Sequence, residues 1–357
     1  MIAQVDVNTI WRRQFGLAVR RRWPDTLLVS PRKVSLRGGG AAEDGVLSVG
    51  LPPGWATRTS AVAMPILGCK LRSQAARRGG RIETIIFTSF HYLPLARALQ
   101  GDTQIIYYCS DDYSGYDGWG GDAALSREGE MCRLASLSIF VSAALRDRAI
   151  SSYGVDPARC IVAANASEPR FSEPTQLPAG LAALPKPIFG TVGVLGDRID
   201  YKFLDAVARS PEVGSLALVG PVTASADTEA AITQLRHNAK VHWFGSQPHD
   251  QIHMWMAGID VAVIPYVSSN FNHFCSPMRL WDHLAIGQPI LATEACDQVS
   301  RHPGIWVVPE SGEALDRQVA GAVREYATGR NPRLETWDDR VALIAAWQEE
   351  QQGRGAQ

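Results

Sequence analysis

The 357-residue sequence has no apolar run approaching the roughly 18 residues that a membrane-crossing helix needs. Its first residues, MIAQVDVNTIWRR, also lack the apolar core of a signal peptide. Together these absences set the expectation of a cytoplasmic protein, either soluble or peripheral on the inner face of the cell membrane. Cysteine is sparse: Cys69, Cys109, Cys132, Cys160, Cys275 and Cys296 show no CxxC spacing. That pattern argues for reduced, packed thiols and against a zinc or iron–sulfur cluster. Wholesale disorder is excluded too, because 46% of the residues are hydrophobic and 20% charged. A chain of this length is better divided between two cores than built on one.

Acidic residues are scarce at one end. The net charge is −1, yet residues 1–100 hold fifteen Lys and Arg against five Asp and Glu, a surplus of ten that leaves −11 for the rest. Such asymmetry suggests an anionic partner on the N-terminal side. The densest stretch is WRRQFGLAVRRRWP, residues 11–24. At helical spacing, Phe15, Leu17, Ala18 and Val19 form an apolar stripe flanked by Arg12, Arg13, Arg20, Arg21 and Arg22, and Pro24 stops the helix. Two readings stand: a helix resting on an anionic membrane, or a solvated face of an ordinary domain. Nucleic acid is disfavoured, because no aromatic platforms interleave with the basic residues.

Apolar runs at residues 26–30, 45–50, 84–89, 104–109, 138–142 and 160–164 alternate with helical stretches, which implies a parallel sheet covered on both faces. SEPTQLPAGLAALPKP then reads as a proline-rich linker, after which PIFGTVG, SLALVG, VHWFG, DVAVIPY and PILATE restart the alternation. The expected organisation is an N-terminal α/β domain over 1–172, a linker over 173–187 and a second α/β domain over 188–334. A helix over 335–357 either closes the second domain or crosses back. Two such halves are expected to face a central cleft.

The segment SPMRLWDHLAIGQP, residues 276–289, draws the functional argument. Ser276 followed by Pro277 makes a good helix start. The helix N-terminus offers unpaired backbone donors and positive dipole, and Arg279 adds a cation, which suits a diphosphate. Asp282 lies three residues on, on the same side, and a carboxylate beside a diphosphate finds donors in ribose hydroxyls. The plainer alternative is a local surface ion pair of about 0–1 kcal/mol.

IPYVSSNFNHFCSPMRLWDHLAIGQPILAT resembles the nucleotide-binding signature of GT-B glycosyltransferases, in which a Lys or Arg is followed three residues later by Glu or Asp in a Pro-led helix. IWRRQFGLA, YYCSDDYSGY, VGVLGDRIDYKFLDAV and KVHWFGSQPHDQI are similar, in the same order, to segments of bacterial polysaccharide enzymes of family 4 and of the xanthan-type glucuronosyltransferase kind. The resemblance implies two Rossmann-like domains with parallel sheets and a nucleotide-diphosphate sugar, UDP-linked and with UDP-glucuronate as one candidate, as donor. It further implies a lipid-linked or oligosaccharide acceptor and a role in exopolysaccharide biosynthesis. It puts Arg279 on the diphosphate, Asp282 on the ribose, and Met278 and Ser276 in the donor pocket. Gly193 would let a helix approach the diphosphate, Arg198 would be a second phosphate ligand, and Trp243 and Tyr266 would border the site.

One departure stands out. Retaining members of family 4 carry Glu eight residues before the ribose-binding acid, and this chain has Phe274 there. An inverting reaction with a general base is therefore expected. Asp111 and Asp112, in YYCSDDYSGY just past an apolar strand, are the candidates, since adjacent carboxylates raise at least one pKa; the alternative is an Asx turn. Asp117 and His91 are weaker. The adjacent pair lacks DxD spacing, and helix dipole and arginine can stabilise a leaving diphosphate, so no metal and no cofactor are expected. A sugar-nucleotide epimerase of the same fold and a catalytically idle binding protein are the rival functions.

Overall fold

A short strand that the sequence does not advertise, β1 (Ile2–Val5), occupies the middle of the first of two parallel sheets. The structure is a computed structural model that describes residues 1–34, 45–115, 121–173, 175–223, 225–329 and 331–355. The chain forms two units, Met1–Ala164 with Trp337–Gln357, and Asn165–Thr336.

In the first unit β1 is followed by α1 (Ile10–Arg22), β2 (Leu27–Lys33), β3 (Val46–Leu51), α2 (Ser60–Arg77), β4 (Thr84–Phe87), α3 (Leu93–Leu99), β5 (Gln104–Cys109), α4 (Gly121–Leu134), β6 (Leu137–Phe140), α5 (Ala143–Tyr153) and β7 (Cys160–Val162). Its sheet order is β3-β2-β1-β4-β5-β6-β7, parallel throughout. The direction of winding reverses between β1 and β4. Strands buried on both faces explain why the runs read as continuously apolar.

The second unit contains α6 (Ala179–Ala182), β8 (Ile188–Val192), α7 (Tyr201–Arg209), β9 (Ser215–Val219), α8 (Ala226–Leu235), β10 (Val241–Trp243), α9 (Ile252–Ala257), β11 (Val261–Ile264), α10 (Asn270–Phe274), α11 (Met278–Ile286), β12 (Ile290–Thr293), α12 (Asp297–Ser300), β13 (Ile305–Val308) and α13 (Leu315–Thr328). The order β10-β9-β8-β11-β12-β13 is again parallel and reverses between β8 and β11. Helix α14 (Trp337–Gly355) then belongs to the first unit.

The proline-rich stretch is not a spacer between the units. Leu181 is fully buried with Ile188 and Ala217, so this segment is part of the second unit, and the crossover falls at 164/165. Proline composition signals an irregular path, but one buried leucine is enough to tie that path to a core.

Helix α1 also departs from expectation. Phe15, Ala18 and Val19 are buried, and Phe15 meets Trp337 of α14 edge to face at 6.3 Å. Arg12 is 9% exposed and turned inward, ion-paired with Asp6 and donating to the carbonyl of Thr88 at 3.2 Å. Arg21 pairs with Asp338 at 2.9 Å and Arg22 with Glu349 at 3.7 Å, both on α14, while Arg20 donates to the Gly45 and Thr26 carbonyls. Arg13 is half-buried. A helix whose apolar stripe already packs inside its own unit cannot lay that stripe into a lipid interface, so α1 is a structural helix. Among the described residues no helix is long and apolar enough to cross a membrane.

Candidate functional site

Three neighbouring strands of the second unit end in the same way. Gly193 after β8, Gly220 after β9 and Gly245 after β10 have φ of 128°, 143° and 68°, backbone that L side chains rarely adopt. These turns let chain segments cross the strand ends closely: a Cβ on Gly220 would overlap the Gly193 carbonyl. The loop after β8 is sewn to its neighbours by bonds from Leu195 N to Pro221 O (2.9 Å), Asp200 N to Pro265 O (2.7 Å) and Val267 N to Arg198 O (3.0 Å). A ligand crevice is expected at the carboxyl ends of the strands, where winding reverses. Here that place is next to β8 and β11.

Tyr266 lies just past β11, 6% exposed, with the guanidinium of Arg198 5.1 Å and that of Arg279 5.4 Å from its ring centroid. The ring face attracts both cations. Arg279 donates to Thr191 Oγ1 on β8 at 3.0 Å, and a Cβ on Gly193 would lie 2.6 Å from Arg279 Nη2. The missing side chain at Gly193 thus makes room for the arginine. Arg198 donates from Nε to Asn272 Oδ1 at 2.7 Å, and the Asn272 amide donates back to the carbonyls of Arg198 (3.2 Å) and Val267 (2.8 Å). Arg198 also lies 4.2 Å from the Phe271 ring centroid. A pocket of about 550 Å³ opens here, lined by Arg198, Arg279, Tyr266, Thr223, Ser225 and Asp197 among others. Asp197 accepts from Thr228 Oγ1 at 2.7 Å and Ser225 Oγ at 3.0 Å, and those hydroxyls lower its pKa.

Helix α11 begins at Met278, not after a serine cap. Pro277 holds the N-cap position and no side chain bonds the first-turn N–H groups. Ser276 is instead 5% exposed, its hydroxyl accepting from Asn165 N at 3.0 Å and Trp281 Nε1 at 3.2 Å. Proline has no side-chain acceptor to cap the first turn; Leu280 N donates to Pro277 O at 3.1 Å, and the Met278 and Arg279 N–H groups ahead of it receive no side-chain cap. Met278 is half-buried at that end. Asp282 is 8% exposed and accepts from Ser167 Oγ at 2.7 Å. Burial pushes its pKa up to about 7, with Ser167 opposing the shift.

Trp243 does not line this pocket; its indole donates to Gly220 O at 3.1 Å and its ring sits under Arg236, 5.6 Å away. Phe244 packs against Trp255 in the core.

In the first unit Asp111 and Asp112 part company. Asp112 is 2% exposed, and its Oδ1 is bound by Arg148 at 2.7 Å, by Ser114 N at 3.2 Å and by Ser114 Oγ at 2.5 Å. This is the Asx-turn alternative, anchored by a buried ion pair, and it corrects the expectation that Asp112 is open to a substrate. Asp111 remains partly exposed at the carboxyl end of β5. Arg148 also reaches Glu128 at 3.3 Å, which accepts from Tyr153 at 2.8 Å, Tyr107 at 3.0 Å and Cys109 at 3.3 Å. His91 is buried beside Ser89, and burial lowers its pKa to about 4. Asp117 lies outside the described residues.

Thr191, Asn272, Ser167, Glu128 and Arg148 carry no sequence signal of their own. They matter through bonds that span 74 to 115 residues in the second unit and 20 in the first. Among the described residues no group of three or more His, Cys, Asp and Glu converges as metal ligands would.

Comparison with solved structures decides the fold. Sucrose-phosphate synthase of Thermosynechococcus elongatus superposes with a TM-score of 0.69 at 16% identity, over 100% of this chain and 99% of that one. The fold is GT-B. Anabaena HepE, solved in complex with UDP and glucose, gives a TM-score of 0.66 at 14% identity, over 100% of this chain and 99% of its own GT-B structure. In sequence, this GT-B chain is 26% identical over 106 residues to TuaH of Bacillus subtilis, which its description assigns provisionally to teichuronic acid biosynthesis as a glycosyltransferase. The match spans 30% of this chain and 26% of TuaH. No protein-family model matches.

Proposed function

We propose that this GT-B chain is a glycosyltransferase whose second unit binds a nucleotide-diphosphate sugar, with UDP as the nucleotide. The observation that carries the proposal is the pair of guanidinium groups on Tyr266 beside the uncapped N-terminus of α11, at the reversal of strand order. Backbone donors, helix dipole and two fixed cations together complement a diphosphate and stabilise it as it leaves. In this reading Arg279 and Arg198 hold the phosphates, Asp282 accepts from the ribose hydroxyls, Met278 lines the donor, and Ser276 positions the turn before α11. The name of TuaH favours glycosyl transfer, and the UDP in the HepE structure favours a UDP-sugar.

The acceptor is a lipid-linked or oligosaccharide hydroxyl in polysaccharide biosynthesis, met at an anionic membrane surface. Asp111 takes the hydroxyl proton, the acceptor oxygen attacks the anomeric carbon, and the bond to the diphosphate breaks with its electron pair leaving on UDP. Phe274 in place of the retaining carboxylate favours inversion. No metal and no further cofactor enters this scheme.

Thermal unfolding with UDP, GDP, ADP and dTDP tests the proposal. A ligand at 100 times its dissociation constant stabilises a fold by about 2.7 kcal/mol. A shift with UDP that Arg279→Ala removes is the expected result. UDP binding without turnover of any UDP-sugar would favour an idle binding protein instead.

A further inference from the structure

With α1 packed away, the cationic surplus of the first hundred residues needs another outlet, and α2 supplies it. Residues 45–82 contain Arg58, Lys70, Arg72, Arg77, Arg78 and Arg81 and not one Asp or Glu. All six cations are exposed. Arg81 lies near enough to Glu83 to lower that carboxyl's pKa, whereas the other five make no ion pair among the described residues. The same helix shows unusual apolar exposure at its start: Val62 is 60% and Ile66 37% exposed. Pro65 and Cys69 are exposed beside them.

These positions share one face. Exposed residues recur at 62, 65, 66, 69, 70, 73, 76 and 77, spaced by three and four, while Ala63, Met64, Leu67, Leu71 and Ala75 point inward. The outward stripe runs from apolar side chains in the first turns to small residues in the last, with Lys70 and Arg77 along one border and Arg72 along the other. Next to it a recess of about 270 Å³ lies between α2 and α3, lined by Met64, Pro65, Gly68, Arg72, Pro94 and Leu95 among others.

We propose that the outer face of α2 docks on an anionic lipid surface. Val62, Pro65 and Ile66 enter the headgroup–acyl boundary, and Lys70, Arg72 and Arg77 meet lipid phosphates. The absence of any carboxylate over 38 residues is what selects lipid. A protein partner presents a local patch of charge, whereas a membrane presents a continuous anionic plane, which a run of exposed cations without a single acid complements throughout. The apolar stripe of α2 packs inward like that of α1, so the lipid contact is a shallow one: exposed Val62, Pro65 and Ile66 form an apolar edge, and the cations behind it supply the attraction to anionic headgroups. This inference rests on the membrane-bound acceptor proposed above and names the surface that meets it.

The test is sedimentation of the full chain with vesicles of neutral phosphatidylcholine and of phosphatidylcholine with phosphatidylglycerol, at low and high salt. The expected result is binding to anionic vesicles alone, weakened by salt. It should fall about fivefold for each of Lys70→Ala, Arg72→Ala and Arg77→Ala, and fall strongly for Val62→Asp with Ile66→Asp. The pair Arg21→Ala with Arg22→Ala on α1 should leave binding unchanged. Every variant is also melted with UDP, so that a retained shift certifies the fold and the donor site.

Wild-type binding that survives the α2 substitutions would overturn the assignment and leave membrane attachment to another face. No binding by a wild type that still responds to UDP would overturn the membrane reading and spare the donor site. Self-association abolished by Val62→Asp without lipid would give the face to a second copy of the chain.

Discussion

Ser167 donates its hydroxyl to a carboxylate oxygen of Asp282 at 2.7 Å, joining the first residues of the second unit to the helix that carries Arg279. The carboxyl is buried, its pKa is raised from 3.8 to about 7, and that elevation has a direct consequence for stability. Between those values the folded chain holds a proton that the unfolded chain releases, so unfolding gains relative to folding as pH rises. The contribution of Asp282 is therefore most favourable below about pH 4 and is lost as pH climbs through about 7. Melting temperatures of Asp282→Asn, less those of wild type, should increase from pH 5 to pH 7 and level off above. A difference independent of pH would show that Asp282 does not titrate in this range.

Arg279→Ala should weaken UDP by about tenfold or more, since charge-assisted contacts are worth roughly 1.5–3 kcal/mol. Arg279→Lys should recover only part, because the planar fork that reaches Thr191 and lies over Tyr266 is lost. Calorimetric titration of UDP into the three proteins measures both effects. Equal affinities would remove Arg279 from the site.

Gly193→Ala should cost affinity and stability together. Its φ of 128° strains any side chain, and the new methyl would press on Arg279. A loss of about 1–3 kcal/mol in urea unfolding is expected from the backbone alone, and UDP binding should fall as well. Stability that drops with unchanged UDP affinity would separate the turn from the ligand.

The two neighbouring aspartates should respond differently. Asp111→Asn is expected to keep the fold and cut turnover by about 10²–10⁴-fold, the usual scale of general-base loss. Asp112→Asn should instead lower the melting temperature, because the buried Arg148 loses the charge of Asp112 while Glu128 stays beside it. If Asp112→Asn melts normally and loses turnover, the assignment of roles is reversed.

Arg12→Ala should destabilise by about 3–5 kcal/mol, the cost of leaving one member of a buried pair alone. Arg21→Ala should change stability by less than about 1 kcal/mol, because its pair with Asp338 is solvent-screened at the surface. Guanidinium unfolding of both variants checks the contrast.

The sequence by itself determined the α/β class, the doubling of the sheet and the position of the candidate helix α11. These rest on local signals: apolar runs such as QIIYYC, glycines ending PIFGTVG and SLALVG, and the Pro-led SPMRLWD segment. β1 and β13 carry only weak local signals, the first because Gln4 interrupts a four-residue run and the second because IWVV stands alone.

Only the tertiary structure decided where charges point. Arg12, Arg21 and Arg72 look alike in the sequence, but one is paired inside with Asp6, one is bound to Asp338, which is 317 residues away, and one is exposed on α2. Asp111 and Asp112 separate for the same reason, since Arg148 reaches one of them. A side chain's spacing tells which face of an element it occupies. Its charge partner comes from a distant segment, so the distinction between a buried tie, a surface pair and an open cation exists only after folding.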